Sequence, residues 1–294
     1  MIYEQQFIKS SKDGELIAYH EWYDEQAIKI GGCNCLVMMN HGYGDHMKRY
    51  EELAKNIIKN NRGAIVFGID HPGHGLSGGE ATLVKDYDSV VDDLYTAVQL
   101  VRENHKLNNN NNKNNTPLKF IIIGYSVGGM LTVMYYHKYG SINIDNNKIE
   151  GLVLVGPLIG TEHAVIKLQD IDAPPMVIRA EVYTTDKQAQ LEMYDDPLYH
   201  LAPFKRETLL NVIDKLRDIK DQVNLDNVEV LWLHGEIDLL SHDLVRKGLD
   251  QIKTNQYESH LFNGVSHDLF HETNKEQVFE VLNQFNIKIM NNNK

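Results

Sequence analysis

Six short apolar runs punctuate the sequence: Cys35–Met39, Ala64–Ile69, Phe120–Ile123, Leu152–Val155, Val228–Leu233 and Tyr257–Phe262. Most are continuous rather than alternating, so both faces of each strand must be covered, which is the pattern of a parallel sheet between helices. The stretches between them have helical spacing. Met47, Tyr50, Leu53, Ala54, Ile57 and Ile58 form one stripe; Val90, Val91, Leu94, Ala97, Val98 and Val101 form another. Met130, Leu131, Val133 and Met134 give a third, and Val278, Val281, Leu282 and Phe285 a fourth. Strand alternating with helix gives a doubly wound α/β sheet. Ahead of it, Phe7-Ile8 and Leu16 to Tyr19 flank Asp13-Gly14 and read as an antiparallel hairpin.

Two segments break this rhythm. Asn108 to Asn115 is all Asn but for one Lys; it lacks apolar anchors and reads as a flexible loop. The stretch 157–226 holds Pro174-Pro175, Pro197 and Pro203, no strong strand, and helical patches of which Leu209 to Ile219 is the clearest. An insertion this long between two core strands reads as a lid or cap rather than a structureless loop. The expected division is a core of 1–156 and 227–294, with a cap at 157–226.

The chemistry-bearing signal is Gly124-Tyr125-Ser126-Val127-Gly128, preceded by a strand and opening a helix. That context is what a nucleophile elbow needs. Glycines on both sides let neighbouring backbone pass close. A serine at a helix N-terminus also stands where amide groups face developing negative charge. Serine needs a base, and the base an orienting acid; on this architecture the chain order is Ser, acid, His. After the Val228–Leu233 strand come Glu236 and Asp238, and Asp238, deeper in the loop beyond Gly235, is the better acid. After the last strand, His267 lies in a loop, whereas His260 falls inside the strand and His271 in the following helix. Asn40-His41-Gly42-Tyr43-Gly44 follows the first core strand. It offers the amide of Tyr43 as one oxyanion-hole donor beside that of Val127. Asp70 to Ser77, with His71 and His74, reads as a structural turn packing beside the elbow.

Composition closes off other classes. The formal net charge of −12 and the absence of a basic run exclude phosphate-backbone binding, so no nucleic-acid partner is expected. His267 and His271 are spaced for zinc, but Asp268 follows the first and no third ligand is evident, so neither metal nor cofactor is expected. Cys33 and Cys35 read as free thiols of a reducing compartment. With no secretory signal pattern and Ile2 after Met1, the expected location is cytoplasmic.

The motifs NHGYGDHMKRY, FGIDHPGHGLSGG, GYSVGG, LHGEID and GVSHDLFHE, in that order, resemble the monoacylglycerol lipase and lysophospholipase group of α/β-hydrolases, from about Tyr19 to Phe285. The resemblance implies an eight-stranded, mostly parallel sheet with a helical cap after the sixth strand. It also implies a triad on Ser126, Asp238 and His267, with oxyanion donors at Tyr43 and Val127. The substrate implied is a monoacylglycerol or lysophospholipid ester, with transient membrane contact through the cap compatible with patches such as Ala164-Val165-Ile166 and Pro175 to Ile178. This sequence departs from the group in having Tyr125 rather than His before the serine, and in a cap that matches weakly around Tyr194 to Leu198. Rival readings are a short-chain esterase, a thioesterase, an aminopeptidase whose α-amine partner could be Glu162, Asp170, Asp172 or Glu181, and a non-catalytic binding protein. Nucleophilic serine disfavours dehalogenase or epoxide hydrolase chemistry.

Overall fold

The order of the strands decides where the loops meet. In the computed structural model, which describes residues 1–107, 118–140, 148–163, 178–253 and 255–292, eight strands form one sheet in the order β1-β2-β4-β3-β5-β6-β7-β8. β1 (Ile2–Lys9) and β2 (Leu16–Tyr23) pair antiparallel around the Asp13-Gly14 turn, and β2 runs antiparallel to β4 (Ala64–Ile69). From β4 onward every pairing is parallel, through β3 (Cys35–Asn40), β5 (Lys119–Tyr125), β6 (Ile149–Val155), β7 (Glu229–Gly235) and β8 (Glu258–Phe262).

Both faces of the central strands β3 to β7 are buried, which is why those strands are largely apolar; the edge strands β1 and β8 carry exposed polar residues. Successive residues of β3 go to opposite cores: Leu36 and Met38 to one, Cys35, Val37 and Met39 to the other. The first core is closed by α3 (Tyr87–Asn104), α4 (Val127–Tyr135), α7 (Arg206–Gln222) and α8 (His242–Ile252). The second is closed by α2 (Glu51–Asn60) and α9 (Lys275–Asn291). At about 25 cal/mol per Å2 of apolar area, burial of these stripes supplies the main drive for this arrangement. The short α1 (Glu25–Gly31) buries nothing; Asp24 caps its first turn by accepting from the Ala27 amide at 3.0 Å. Cys33 and Cys35 are free and buried, and burial pushes the Cys33 thiol up to about 12. Among the described residues no helix is long and apolar enough to cross a membrane.

Between β6 and β7 the chain divides. α5 (Ala180–Tyr183) and α6 (Lys187–Asp195) share a small core of their own, in which Ala180, Met193 and Tyr199 are buried. By contrast α7, which the sequence reading grouped with the cap, buries Leu209, Val212, Ile213 and Leu216 in the first core of the sheet. The expected cap, 157–226, thus includes a helix that packs on the sheet. The Asn-rich run at 108–115, the Ala164-Val165-Ile166 patch, Asp170, Asp172 and Pro175 to Val177 lie outside the described residues.

Candidate active site

Parallel register brings the carboxyl ends of β3, β5, β6 and β7 level. Asn40 pairs with Gly124, Tyr125 with Val155, and Val155 with Leu233. The turn after β3 therefore lies beside the turn after β5, at the point where the winding of the sheet reverses, the usual place for a ligand crevice. Ser126 stands between β5 and α4 with φ 54° and ψ −118°, one of three described non-glycine residues with positive φ. Such backbone costs of order 1–3 kcal/mol and persists only where surroundings enforce it. Here the Ser126 amide donates to Val155 O at 3.0 Å, and its carbonyl accepts from the amides of Gly129 and Leu158, each at 2.9 Å.

Around this serine three predicted side chains meet. His267 Nδ1 lies 2.8 Å from Asp238 Oδ1, and His267 Nε2 lies 2.8 Å from Ser126 Oγ. A carboxylate only accepts, so Nδ1–H donates to Asp238 and the bare Nε2 accepts the Ser126 hydroxyl proton. The Leu240 amide donates to the same Asp238 oxygen at 2.7 Å. Burial alone would raise the Asp238 carboxyl, but the adjoining His267, its hydrogen bond, His234 and the Leu240 amide together hold it below its ordinary value. Asp238 thus stays ionised where an imidazolium would form. Glu236, the other acid candidate, turns away and accepts from the Gly264 amide at 2.8 Å.

The two expected oxyanion donors flank the same point. Val127 is the first residue of α4, so its amide has no acceptor within the helix. Tyr43 sits in the turn after β3, which passes so close that a Cβ on Gly42 would be 3.3 Å from Ser126 Cβ. The Tyr43 amide donates to no described residue. The pocket in front of Ser126 is walled by Tyr43, Leu158, Ile178, Tyr183, Phe204 and Leu239, with no carboxylate among the described residues that line it. Tyr125 also lines this pocket, 2% exposed, its ring 4.9 Å from that of His267.

Sequence reasoning missed a second buried layer. Arg49 bridges Asp45 and Asp268 at 3.1 Å each, and Tyr50 Oη donates to Asp45 at 2.6 Å. His271 pairs with Asp268 at 2.8 Å; it belongs to a short 3-10 turn, Leu269–His271, and not to the following helix as expected. Asp45 and Arg49 are i,i+4 neighbours, a spacing that usually marks an exposed helical ion pair. His260 is on β8, as read, and partly exposed beside Glu258.

The Asp70–Ser77 turn packs as a structural unit. Asp70 accepts from the Met47 amide at 2.7 Å and the Leu76 amide at 2.8 Å, and pairs with His20 at 3.0 Å. The His41 and His71 rings stack at 3.7 Å, and burial depresses both. No group of ligating side chains suited to a metal ion occurs among the described residues.

Comparison with known proteins agrees with this architecture. A family model described as serine aminopeptidase, S33, matches residues 33–274. A monoacylglycerol lipase of Mycolicibacterium smegmatis is 23% identical over 256 residues, 83% of this chain and 85% of that protein. The human monoglyceride lipase is 26% identical over 234 residues, 78% of this chain and 71% of that one. A soluble variant of the Saccharomyces cerevisiae monoglyceride lipase, solved with a substrate analogue, superposes with a TM-score of 0.76 at 20% identity, covering 98% of this chain and 96% of that one. An α/β-hydrolase by its fold and by the model that spans most of its length, the chain belongs to the serine aminopeptidase S33 family.

Proposed function

We propose that this protein is a serine hydrolase of carboxylic esters, with Ser126 as nucleophile and monoacylglycerols or lysophospholipids as substrates. The observation that carries the reading is the continuous relay from Asp238 through His267 to Ser126, two bonds of 2.8 Å. His267 takes the Ser126 proton as Oγ attacks the ester carbonyl. The amides of Tyr43 and Val127 hold the oxyanion, a contribution of about 3–4 kcal/mol for each donor. Asp238 stabilises the imidazolium, which then protonates the departing alcohol; water deacylates the enzyme by the same route. No cofactor enters this scheme.

The apolar and aromatic pocket supports an acyl substrate, as do the lipase relatives. The description of the family raises an aminopeptidase as the second reading. That chemistry needs a carboxylate near the nucleophile to hold an α-amine. Of the four acids that could do so, Asp170 and Asp172 lie outside the described residues; Glu162 pairs loosely with Lys247 and Glu181 accepts from Tyr194, both at the surface and neither lining the pocket. The insertion 157–226 serves as the cap over this pocket and the face for passing membrane contact. The buried free thiols support a reducing, cytoplasmic setting.

The test is a panel of p-nitrophenyl esters from acetyl to palmitoyl, monoacylglycerol, lysophosphatidylcholine and amino-acid p-nitroanilides. The reading expects turnover of long-chain esters and monoacylglycerol; p-nitroanilide turnover without ester turnover favours the peptidase.

A further inference from the structure

Four contacts join one short stretch of the insertion to the turn that carries Tyr43. His46 Nε2 donates to Asp196 Oδ2 at 2.8 Å, and the His200 amide donates to Gly44 O at 2.7 Å. Tyr43 Oη donates to Pro203 O at 2.8 Å, and the Tyr43 and Phe204 rings stack at 4.0 Å between centroids. The stretch 196–204 is itself braced. Asp196 Oδ1 accepts the Leu198 amide at 2.8 Å, the Asp196 amide closes α6 on Glu192 O at 3.0 Å, and Tyr199 lies over the Arg49 guanidinium at 4.7 Å. At its far end the turn is tied down through Asp45, which accepts from the His46 amide at 2.7 Å and Tyr50 Oη at 2.6 Å. Nearer Tyr43 its internal Asp45 amide to Gly42 carbonyl bond is 3.4 Å long, and the contacts to 196–204 are what reach the Tyr43 side chain and the Gly44 carbonyl.

Resting on the serine-hydrolase reading above, we infer that residues 196–204, through Asp196 and Phe204, position the Tyr43 amide as an oxyanion donor. The insertion then governs the chemical step and not only the choice of acyl chain. An oxyanion donor works because it is already aimed when charge develops. A turn held by contacts from a separate segment loses that aim when the segment lifts, and displacements of about 1 Å cost rate steeply. Asp196 is a positioning residue outside the pocket lining; Phe204 both stacks on Tyr43 and walls the pocket, so its variant is read by the ratio of ketone to alcohol affinity rather than by KM.

The experiment uses Asp196→Ala and Phe204→Leu, with Asp196→Glu as the conservative partner and Ser126→Ala as the null. The substrate is p-nitrophenyl acetate, whose two-carbon acyl group makes the least use of the insertion. The probe is an alkyl trifluoromethyl ketone. Ser126 Oγ adds to its carbonyl carbon, the hydroxyl proton passes to His267, and the carbonyl oxygen becomes an alkoxide in the oxyanion site. A long-chain primary alcohol, which forms no oxyanion, serves as the competitive control.

The expected result for Asp196→Ala is a fall in kcat of about ten- to a hundredfold, with KM within about twofold, since an interaction made only in the transition state is weakened. Ki for the ketone rises by the same factor as kcat falls, Ki for the alcohol holds, and Asp196→Glu recovers part of both losses. If Asp196→Ala fails to fold by circular dichroism, Asp196→Asn takes its place, and Phe204→Leu supports the inference only if Ki for the ketone rises more than Ki for the alcohol. The inference is overturned if KM rises while kcat holds in the Asp196 variant, or if kcat falls with ketone affinity unchanged. Active wild type and inactive Ser126→Ala, with both insertion variants unimpaired, sink the positioning role alone. A wild-type protein that hydrolyses no ester overturns this inference together with the reading beneath it.

Discussion

Gly156 closes against His267 so tightly that a Cβ at this position would lie 3.0 Å from the imidazole Nδ1. It would also lie 2.9 Å from Asp238 Oδ2, and the Gly156 backbone has φ 46°. The carboxyl end of β6 is thus the floor on which the acid–base pair rests, and the floor has room for hydrogen only.

Gly156→Ala should therefore damage activity more than stability. The left-handed backbone costs an alanine about 1–2 kcal/mol. Pushing the imidazole aside disrupts both of its 2.8 Å bonds at once. The expected outcome is a loss of kcat of about a hundredfold or more with the variant still folded; near-normal kcat would show that the pair tolerates the intrusion.

Arg49 makes a different kind of prediction, because it stands between two buried carboxylates. Burial opposes ionisation of Asp45 and Asp268, yet the guanidinium, with His271 beside Asp268, holds both below the usual carboxylate range. Arg49→Met leaves those charges without their shared partner, which typically costs about 3–5 kcal/mol. Denaturant unfolding at neutral pH measures this; a loss under about 1 kcal/mol would mean that the network contributes little.

Asp70 sets an acid limit. Burial raises it, but the His20 hydrogen bond, the His20 and His41 rings and the Leu76 amide bring it down to about 2. A carboxyl depressed in the folded state adds stability above its unfolded value near 3.9 and loses it as pH falls through the folded value. The shift corresponds to about 2–3 kcal/mol. The gap in unfolding free energy between wild type and Asp70→Asn should be about that size at pH 7 and shrink between about pH 4 and pH 2; a gap independent of pH contradicts this assignment.

Much of this arrangement was legible in the sequence because the sheet leaves a simple trace. Strands such as β3 and β5 are buried on both faces, so their apolar runs need no alternation to be seen, and the turns that carry Tyr43, Ser126 and Asp238 follow such runs directly, whereas His267 follows the half-exposed β8. The Ser126, Asp238 and His267 side chains could be named because each had few rivals in its loop. What stayed hidden depends on partners far away in the chain. Arg49 reads as one half of a surface pair until Asp268, more than two hundred residues later, closes on it. The apolar stripe of α7 is the same whether it faces a cap or a sheet, and only packing against the first core decides. The β4-β3-β5 order cannot be read from the strands singly, yet it is what sets the Tyr43 turn beside Ser126.

If Ser126 is the nucleophile, turnover runs through a covalent acyl group on its Oγ. The measurement is intact-protein and peptide mass spectrometry after brief acid quench of the enzyme turning over a long-chain p-nitrophenyl ester, beside Ser126→Ala. The account predicts an acyl adduct on the peptide containing Ser126, absent from the variant, whose hydrolysis falls by about 10^6-fold toward the residual left by binding and the oxyanion site. Hydrolysis surviving in Ser126→Ala, or an adduct on another residue, would contradict it.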